Sequence, residues 1–224
     1  MLKLIVFDWD DVFTTGSTAA YHACYVQAAK DSGANVEDAR IREVVDELWG
    51  RPHETVIQEY LKDELELFEE VNRRYEEYVH TEIFLEQLSI VEGSLDMLIR
   101  LEKKYRLAIV SGINPDLLKN KVFPKFNVPN VFSEIITSYD LKDRSRGKPY
   151  PDMLNMVLES LNINPKHSIL VGDSPADMKM AQAANVTPIA VLTGQLDALE
   201  AEELKVEHIM NTVAELELIL PKFI

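Results

Sequence analysis

The chain has 224 residues, of which 23 are Lys or Arg and 38 are Asp or Glu, so its formal net charge is −15. Nucleic acids and anionic membranes bind proteins through basic surfaces, and this charge balance argues against both as partners. Apolar residues make up 46% of the chain and charged residues 27%, which is typical of a globular protein rather than a disordered one.

The cysteine content and the apolar runs of the sequence indicate the cellular compartment of the protein. The single cysteine, Cys24, excludes an internal disulfide and a cysteine-cluster metal site, and it is typical of a reducing compartment. The apolar run Leu4–Phe7 meets Asp8 too early for a signal peptide, and no apolar run is long enough to span a membrane. We therefore expect a cytoplasmic protein. The sequence carries no signal for its oligomeric state.

The first part of the chain changes character after residue 13. Residues 1–13 contain a short apolar run that ends at carboxylates, as a buried parallel strand does. Residues 14–87 have helical periodicity, and between Glu37 and Glu86 they hold 16 acids and 6 bases, which indicates one apolar and one solvated face. Gly33 predicts the end of a first helix, and Gly50 with Pro52 predicts another helix boundary. This segment is expected to be a small acidic helical domain.

From residue 88 onward, predicted strands and helices alternate. The apolar runs are residues 107–110, 135–137, 168–172 and 188–192, and the helical segments are residues 95–105, 151–161, 175–184 and 213–220. Such alternation predicts an α/β fold with a parallel sheet and right-handed crossovers. Because one strand precedes the helical segment and the others follow it, we predict an α/β core of residues 1–13 and 88–224 with residues 14–87 inserted.

Polar residues follow the predicted strands at the edge where open α/β sheets place their chemistry. Each of them alone is explained by a helix N-cap or a solvated side chain. Several such positions in this order, each after an apolar run or in a loop between two, indicate a site. These residues are Asp8, Asp10, Ser111, Lys148, Asp173 and Asp177.

Four segments resemble the four motifs of the haloacid dehalogenase-like hydrolase superfamily. The Asp-x-Asp motif alone is a weak signal, but four motifs in order are specific, and the likeness covers nearly the whole chain. The resemblance implies a Rossmann-like core with a helical C1 cap inserted after the first motif, as in phosphoglycolate phosphatase-like and β-phosphoglucomutase-like members. The segments are Phe7–Val12, Val110–Gly112, Gly147–Asp152 and Val171–Asp177.

The chemistry of the first motif suits phosphoryl transfer. A carboxylate can attack phosphorus to form an acyl-phosphate, and Asp8 is placed for that role. Asp10 points the same way in an extended segment and could protonate the leaving oxygen and then deprotonate water. The resemblance assigns these two roles to the same residues. It implies a phosphatase acting on a small phosphorylated metabolite.

A dianionic phosphate also requires positive charge. Mg²⁺ prefers oxygen ligands, so Asp8 and Asp173 are candidate ligands, and the resemblance adds the backbone carbonyl of Asp10. Lys148 is expected to place a positive charge on the phosphoryl oxygens. Asp177 lies one helical turn after Asp173, so we expect it to hold Lys148 or a metal-bound water rather than the metal itself.

Three further residues are candidates for substrate binding. Ser111 and Gly112 with the amides that follow can cradle phosphate at a helix start. Arg51 lies between Gly50 and Pro52, where the resemblance implies a loop that faces the substrate; the alternative is a simple surface charge.

One residue departs from the family pattern. Asp11 stands where the family usually has Gly, which tolerates backbone conformations that other residues resist. A third acid here could weaken phosphate binding or raise neighbouring pKa values, but we expect Asp11 to point away from the site. Two alternatives to a phosphatase stay open. One is a β-phosphoglucomutase-like phosphomutase, and the other, which Asp11 alone favours, is a catalytically weak binding or regulatory module on the same fold.

Overall fold

The computed structural model describes residues 1–223, which form two compact units. One unit, the α/β unit, contains Met1–Thr15 and the chain from Ile90 onward, and the other, the helical unit, is Gly16–Ser89. The sequence placed the corresponding boundaries after residue 13 and before residue 88.

A six-stranded sheet forms the centre of the α/β unit. Its strand order is β5-β4-β1-β6-β7-β8, and every pair in it is parallel. The two short strands β2 and β3 form a separate two-stranded sheet. In chain order the strands are β1 (Leu4–Phe7), β2 (Thr14–Thr15), β3 (Ser89–Ile90), β4 (Arg106–Ser111), β5 (Glu134–Thr137), β6 (Ser168–Gly172), β7 (Thr187–Val191) and β8 (Ile209–Met210).

Strand β1 lies where the strand order reverses. Phe7 is in register with Ile109 of β4 on one side and with Val171 of β6 on the other. Chain segments that leave β1, β4 and β6 therefore diverge at the carboxyl edge of the sheet, and such a divergence opens a crevice there. All four residues of β1 are fully buried, as expected for a central strand covered on both faces.

Helices cover both faces of this sheet. One apolar cluster joins Leu4 and Val6 of β1 to Leu154 and Val157 of a helix that follows β5. The helices of the unit are Ser94–Leu101, Pro115–Leu117, Phe123–Phe126, Asp152–Leu161, Pro175–Ala183, Ala198–Glu203 and Leu216–Ile219, and a π-helical turn, Leu118–Val122, joins the second to the third. The α/β, Rossmann-like fold class predicted from the sequence is confirmed.

The last part of the chain differs from the prediction. The expected helix over residues 213–220 is a short helix, Leu216–Ile219, with 3₁₀ turns on either side. Pro221 lacks the N–H that would extend that helix. Strand β8 and the helix Ala198–Glu203 were not predicted, because segments of two and six residues are too short for a periodic pattern.

The helical unit contains five helices around its own apolar centre. The rings of Tyr25 and Tyr75 stack there with centroids 4.1 Å apart. Gly33 and Gly50 both adopt left-handed backbone angles, with φ of 78° and 82°, which explains glycine at these two helix ends. The helices are Ser17–Asp31, Asp38–Glu47, His53–Tyr60, Phe68–Tyr78 and Glu82–Leu85. Among residues 1–223, no helix has the length and apolar character needed to cross a bilayer.

Candidate active site

Asp8 is the first residue after β1, and it lies at the crevice. Its backbone N–H donates to the carbonyl of Val171 at 2.9 Å, so the ladder between β1 and β6 continues to the last residue before the chains part. The residue is buried, with 7% of its surface exposed. The sheet therefore fixes the backbone of Asp8 while its carboxylate stays at the edge.

Lys148 joins two of the predicted acids. Its Nζ lies 2.7 Å from Oδ1 of Asp8 and 2.7 Å from Oδ1 of Asp177, and the lysine is itself buried. Asp177 therefore contacts Lys148 directly. Although burial opposes the charge, Asp177 and Asp8 hold the pKa of Lys148 above its ordinary range, so the ammonium stays protonated.

Asp177 is held by the start of its own helix. Ser174 is the N-cap of the helix Pro175–Ala183, and its hydroxyl donates to Oδ2 of Asp177 at 2.6 Å in a capping box. Gly172 allows this arrangement, because a Cβ at residue 172 would lie 2.5 Å from Cγ of Asp177. One carboxylate oxygen of Asp177 thus binds the helix cap and the other binds Lys148.

Asp173 completes a buried group of three acids. One carboxylate oxygen from each of Asp8, Asp173 and Asp177 lies within 4.8 Å of the other two. Burial raises the pKa of Asp8 to about 6 although Lys148 opposes the shift, and burial together with the charges of Asp177 and Asp8 raises the pKa of Asp173 well above its ordinary range. Three carboxylates against one ammonium leave an excess of negative charge.

This excess fits a hard divalent cation. The donors are all oxygens, which Mg²⁺ prefers, and three carboxylates lie around one ammonium. Both oxygens of Asp177 are already engaged, by Ser174 and by Lys148. The side chains of Asp8 and Asp173 are therefore the ones that could hold the ion.

The turn after β1 contains Asp10 and Asp11. The N–H of Phe13 donates to the carbonyl of Trp9 at 3.0 Å and closes the turn, and Asp10 is half-buried. Asp11 has φ of 53°, in the left-handed region where glycine is favoured and Asp is tolerated. This backbone explains why the family pattern has Gly at this position.

Asp11 is not exposed to solvent, and its orientation relative to the site stays a prediction. The residue is buried, with 3% of its surface exposed, and its charge is one of the causes that raise the pKa of Asp173. The turn folds Asp11 against the loop that follows β7, where the hydroxyl of Thr193 donates to the backbone carbonyl of Asp11. Asp11 thus adds negative charge to the acidic group.

Ser111 and Gly112 follow β4 at the same edge of the sheet. Ser111 is buried, and its Oγ accepts from the N–H of Ile113 at 3.4 Å. The hydroxyl of Ser138 donates to the carbonyl of Gly112 at 3.2 Å. Asn114 caps the helix that follows by accepting from its first-turn amides, so those amides are already engaged within the fold.

Sequence reasoning missed the loop after β7. The carboxylate of Asp173 accepts from the N–H of Gln195 at 3.3 Å, and Gly194 lies against the same carboxylate. Nothing in the local sequence marks this loop except the glycine. The role of Ser174 could have been found, because Ser-x-x-Asp before an apolar helix is a capping-box signal.

Arg51 belongs to the helical unit. It lies in the turn between the helices Asp38–Glu47 and His53–Tyr60, where its N–H donates to the carbonyl of Leu48 at 3.0 Å. Its side chain is exposed.

Comparison with known proteins identifies the family. Residues 5–191 match the family model described as haloacid dehalogenase-like hydrolase. The chain belongs to this family. The match includes the strand ends that carry Asp8, Ser111 and Asp173 and the loop that carries Lys148.

Curated relatives in the haloacid dehalogenase-like family match parts of the chain. A Caldanaerobacter subterraneus protein, provisionally named pyrophosphatase PpaX, is 29% identical over 144 residues, which are 64% of this chain and 62% of the relative. A phosphoglycolate phosphatase of Colwellia psychrerythraea is 28% identical over 90 residues, which are 40% of this chain and 38% of the relative. The matched segments thus span less than two thirds of these relatives.

Solved structures of the family match the whole fold. A haloacid dehalogenase-like family hydrolase from Streptococcus pneumoniae superposes with a TM-score of 0.79 at 18% identity, and the match covers 98% of each chain. A β-phosphoglucomutase from Clostridium difficile superposes with a TM-score of 0.72 at 20% identity and covers 100% of this chain and 97% of its own. These similarities show a shared fold.

Proposed function

We propose that this protein is a Mg²⁺-dependent phosphatase that hydrolyses a small phosphorylated metabolite through an aspartyl-phosphate on Asp8. The observation that carries the proposal is the buried group in which Lys148 links Asp8 to Asp177 beside Asp173. Membership of the hydrolase family and the names of the relatives support the same reaction class.

Asp8 acts as the nucleophile in this proposal. One of its carboxylate oxygens forms a bond to phosphorus while the bond from phosphorus to the leaving oxygen breaks. With a pKa of about 6, the carboxylate is mostly ionised at neutral pH. Burial leaves it poorly hydrated, so little solvent has to be removed before the attack.

Asp10 acts as the general acid and then as the general base in this proposal. In its acid form it gives a proton to the leaving oxygen, and the resulting carboxylate then takes a proton from a water molecule that attacks the phosphorus. This attack breaks the bond between phosphorus and Asp8 and releases inorganic phosphate. Asp10 suits both steps because it lies half-buried in the turn that follows Asp8.

The remaining residues bind the phosphoryl group. Lys148 places its ammonium beside the nucleophile, and the hydroxyl of Ser111 and the amide of Gly112 offer hydrogen bonds at the neighbouring strand end. A Mg²⁺ ion bound by Asp8, Asp173 and the carbonyl of Asp10 would neutralise charge on the phosphate oxygens. We assign Arg51 to recognition of the leaving group, a role that the family resemblance suggests.

The size of the substrate follows from charge. The chain has a net charge of −15, so its long-range field repels phosphates rather than attracting them. Capture therefore depends on the cations at the site. A small phosphate monoester, which such a site can engage completely, is the expected class of substrate.

The decisive experiment measures phosphate release from a panel of phosphorylated metabolites with and without Mg²⁺, for the natural chain and for Asp8→Asn. Asn has nearly the shape of Asp but cannot form an acyl-phosphate, so we expect kcat to fall by about a thousandfold or more. Chelation of the metal should stop the reaction of the natural chain.

Asp96→Asn is the matched control, since Asp96 is exposed on the first turn of the helix Ser94–Leu101. It should retain full activity. Turnover in Asp8→Asn comparable to that of the natural chain would refute the nucleophile. Formation of glucose-6-phosphate from β-glucose-1-phosphate, without release of phosphate, would replace the phosphatase with a phosphomutase.

A further inference from the structure

The loop that follows β7, Thr193–Leu196, holds Asp173 at two points. Strand β7 pairs with β6, with Gly172 in register with Ala190, so this loop emerges beside Asp173. The N–H of Leu196 donates to the backbone carbonyl of Asp173 at 2.8 Å. The N–H of Gln195 donates to Oδ2 of the Asp173 carboxylate at 3.3 Å.

Gly194 allows the loop to come this close. A Cβ at residue 194 would lie 2.5 Å from Cγ and 2.8 Å from Cβ of Asp173, which is far inside van der Waals contact. The glycines with positive φ are Gly16, Gly33, Gly50 and Gly93, so Gly194 does not lie in the left-handed region that favours glycine. Glycine is required at residue 194 by the approach to Asp173 and not by the backbone conformation.

The same loop is also tied to the turn after β1. Thr193 donates its hydroxyl to the backbone carbonyl of Asp11, and Asp11 is buried. The loop is thus anchored at one end to the turn that contains Asp10 and Asp11 and at the other end to Asp173. Neither Gln195 nor Gly194 can move away from Asp173 without breaking one of these anchors.

We propose that this loop positions the cation-binding carboxylate of Asp173. The N–H of Gln195 donates to Oδ2 of Asp173, and Gly194 leaves the space in which this oxygen lies. Oδ1 of Asp173 is then the oxygen presented to a divalent cation. Gly194 and Thr193 are positioning residues, because they act through Asp173 and not on the substrate. This inference rests on the proposed function, which assigns Asp173 to the metal.

The test measures binding of Mg²⁺ alone to the full chain by isothermal titration calorimetry, alongside the dependence of activity on Mg²⁺ concentration. Gly194→Ala should weaken Mg²⁺ binding by about tenfold or more, as loss of the contacts that orient a metal ligand does elsewhere. The Mg²⁺ concentration for half-maximal activity should rise equally, and kcat at saturating Mg²⁺ should change much less.

Two comparisons separate positioning from general damage to the fold. Gly93→Ala is the matched control, since a Cβ at residue 93 meets nothing within 4 Å and only backbone strain at φ of 78° is added. It should leave Mg²⁺ affinity unchanged. In an Asp173→Asn background, Gly194→Ala should cause no further loss of Mg²⁺ affinity, because its effect passes through the Asp173 carboxylate.

Thr193→Val covers the case in which Gly194→Ala fails to fold. It removes the hydroxyl that binds the Asp11 carbonyl with little change in shape, and it should weaken Mg²⁺ binding by less than Gly194→Ala does, because it acts on the loop and not directly on the Asp173 carboxylate. If Asp173→Asn weakens Mg²⁺ binding but Gly194→Ala and Thr193→Val do not, the positioning role is refuted. If Asp173→Asn itself leaves Mg²⁺ binding unchanged, the metal assignment in the proposed function fails as well.

Discussion

Carboxylates serve opposite purposes in the two units of this protein. In the helical unit they lie on the surface, as where Arg73 pairs with Glu70 at 2.8 Å and with Glu77 at 2.6 Å. At the carboxyl edge of the sheet, Asp8, Asp173 and Asp177 are buried, and Lys148 pairs with only two of them.

The physical difference is desolvation. An exposed ion pair exchanges water contacts for a weak attraction and contributes little to folding. Burying three acids with one ammonium costs free energy, which the raised pKa values of Asp8 and Asp173 report. A fold that maintains such a group against its own stability indicates that the group is retained for chemistry.

The largest effect is expected from Lys148→Met, which keeps the length of the side chain but removes its charge. Asp8 and Asp177 would then be buried without their cation, so we expect a loss of about 3–5 kcal/mol in the free energy of unfolding and of nearly all activity. Urea unfolding in EDTA measures the first quantity. Lys142→Met, at an exposed lysine, is the control, and equal stability of the two variants would show that the buried and the exposed charges contribute alike to stability.

Asp173→Asn should have the opposite effect on the metal-free protein. The pKa of Asp173 in the fold lies above its unfolded value, so its favourable contribution is present at low pH and is lost as the pH rises through the folded pKa. Asn cannot lose it. In EDTA the variant should therefore be the more stable protein at pH 7.5, with a smaller difference at pH 4.5.

Mg²⁺ should reverse this order. The ion binds the folded natural chain more tightly than the variant, so its addition should raise the Tm of the natural chain more. Thermal unfolding compares the Tm of the natural chain with that of Asp173→Asn at pH 7.5 and at pH 4.5, each in EDTA and in Mg²⁺. An Asp173→Asn variant that is less stable than the natural chain in EDTA at pH 7.5 would show that Lys148 already balances the group.

A smaller kinetic effect is expected at Asp11. Its buried charge adds to the repulsion that a phosphate dianion meets. Two unit charges several ångströms apart repel each other by about 2–3 kcal/mol before screening, and a fraction of this energy remains after it. Asp11→Asn tolerates the same left-handed backbone, so at saturating Mg²⁺ we expect kcat/KM to rise about three- to tenfold at low ionic strength and less in high salt. If Asp11→Asn and the natural chain have the same kcat/KM at low and at high ionic strength, the charge of Asp11 does not act on the substrate.

The smallest effect is expected on the surface of the helical unit. Arg73→Ala removes the partner of Glu70 and Glu77, yet the unfolding midpoint should stay the same within experimental error, because exposed ion pairs of this type contribute little. Differential scanning calorimetry of both proteins measures it. A clear destabilisation by Arg73→Ala would remove the energetic distinction between the two sets of acids.

Much of the fold and the site could be predicted from sequence because the signals are local. The apolar runs before Asp8, Ser111 and Asp173 identify strands, and a residue that follows a parallel strand lies at the carboxyl edge wherever that strand is in the sheet. The spacing of Asp173 and Asp177 is likewise a property of one helical turn. Four such signals in order sufficed to predict the fold class and the family.

Other features depend on segments that are distant in sequence. The sequence alone determined that Asp11 departs from the family pattern, but only the tertiary structure decided that it is buried, because its surroundings include Thr193 from the loop after β7. The contact of Gln195 and Gly194 with Asp173 has the same origin, since the pairing of β7 with β6 brings these residues together. Periodicity and spacing describe how one segment folds, whereas the neighbours of a buried side chain are set by how separate segments pack.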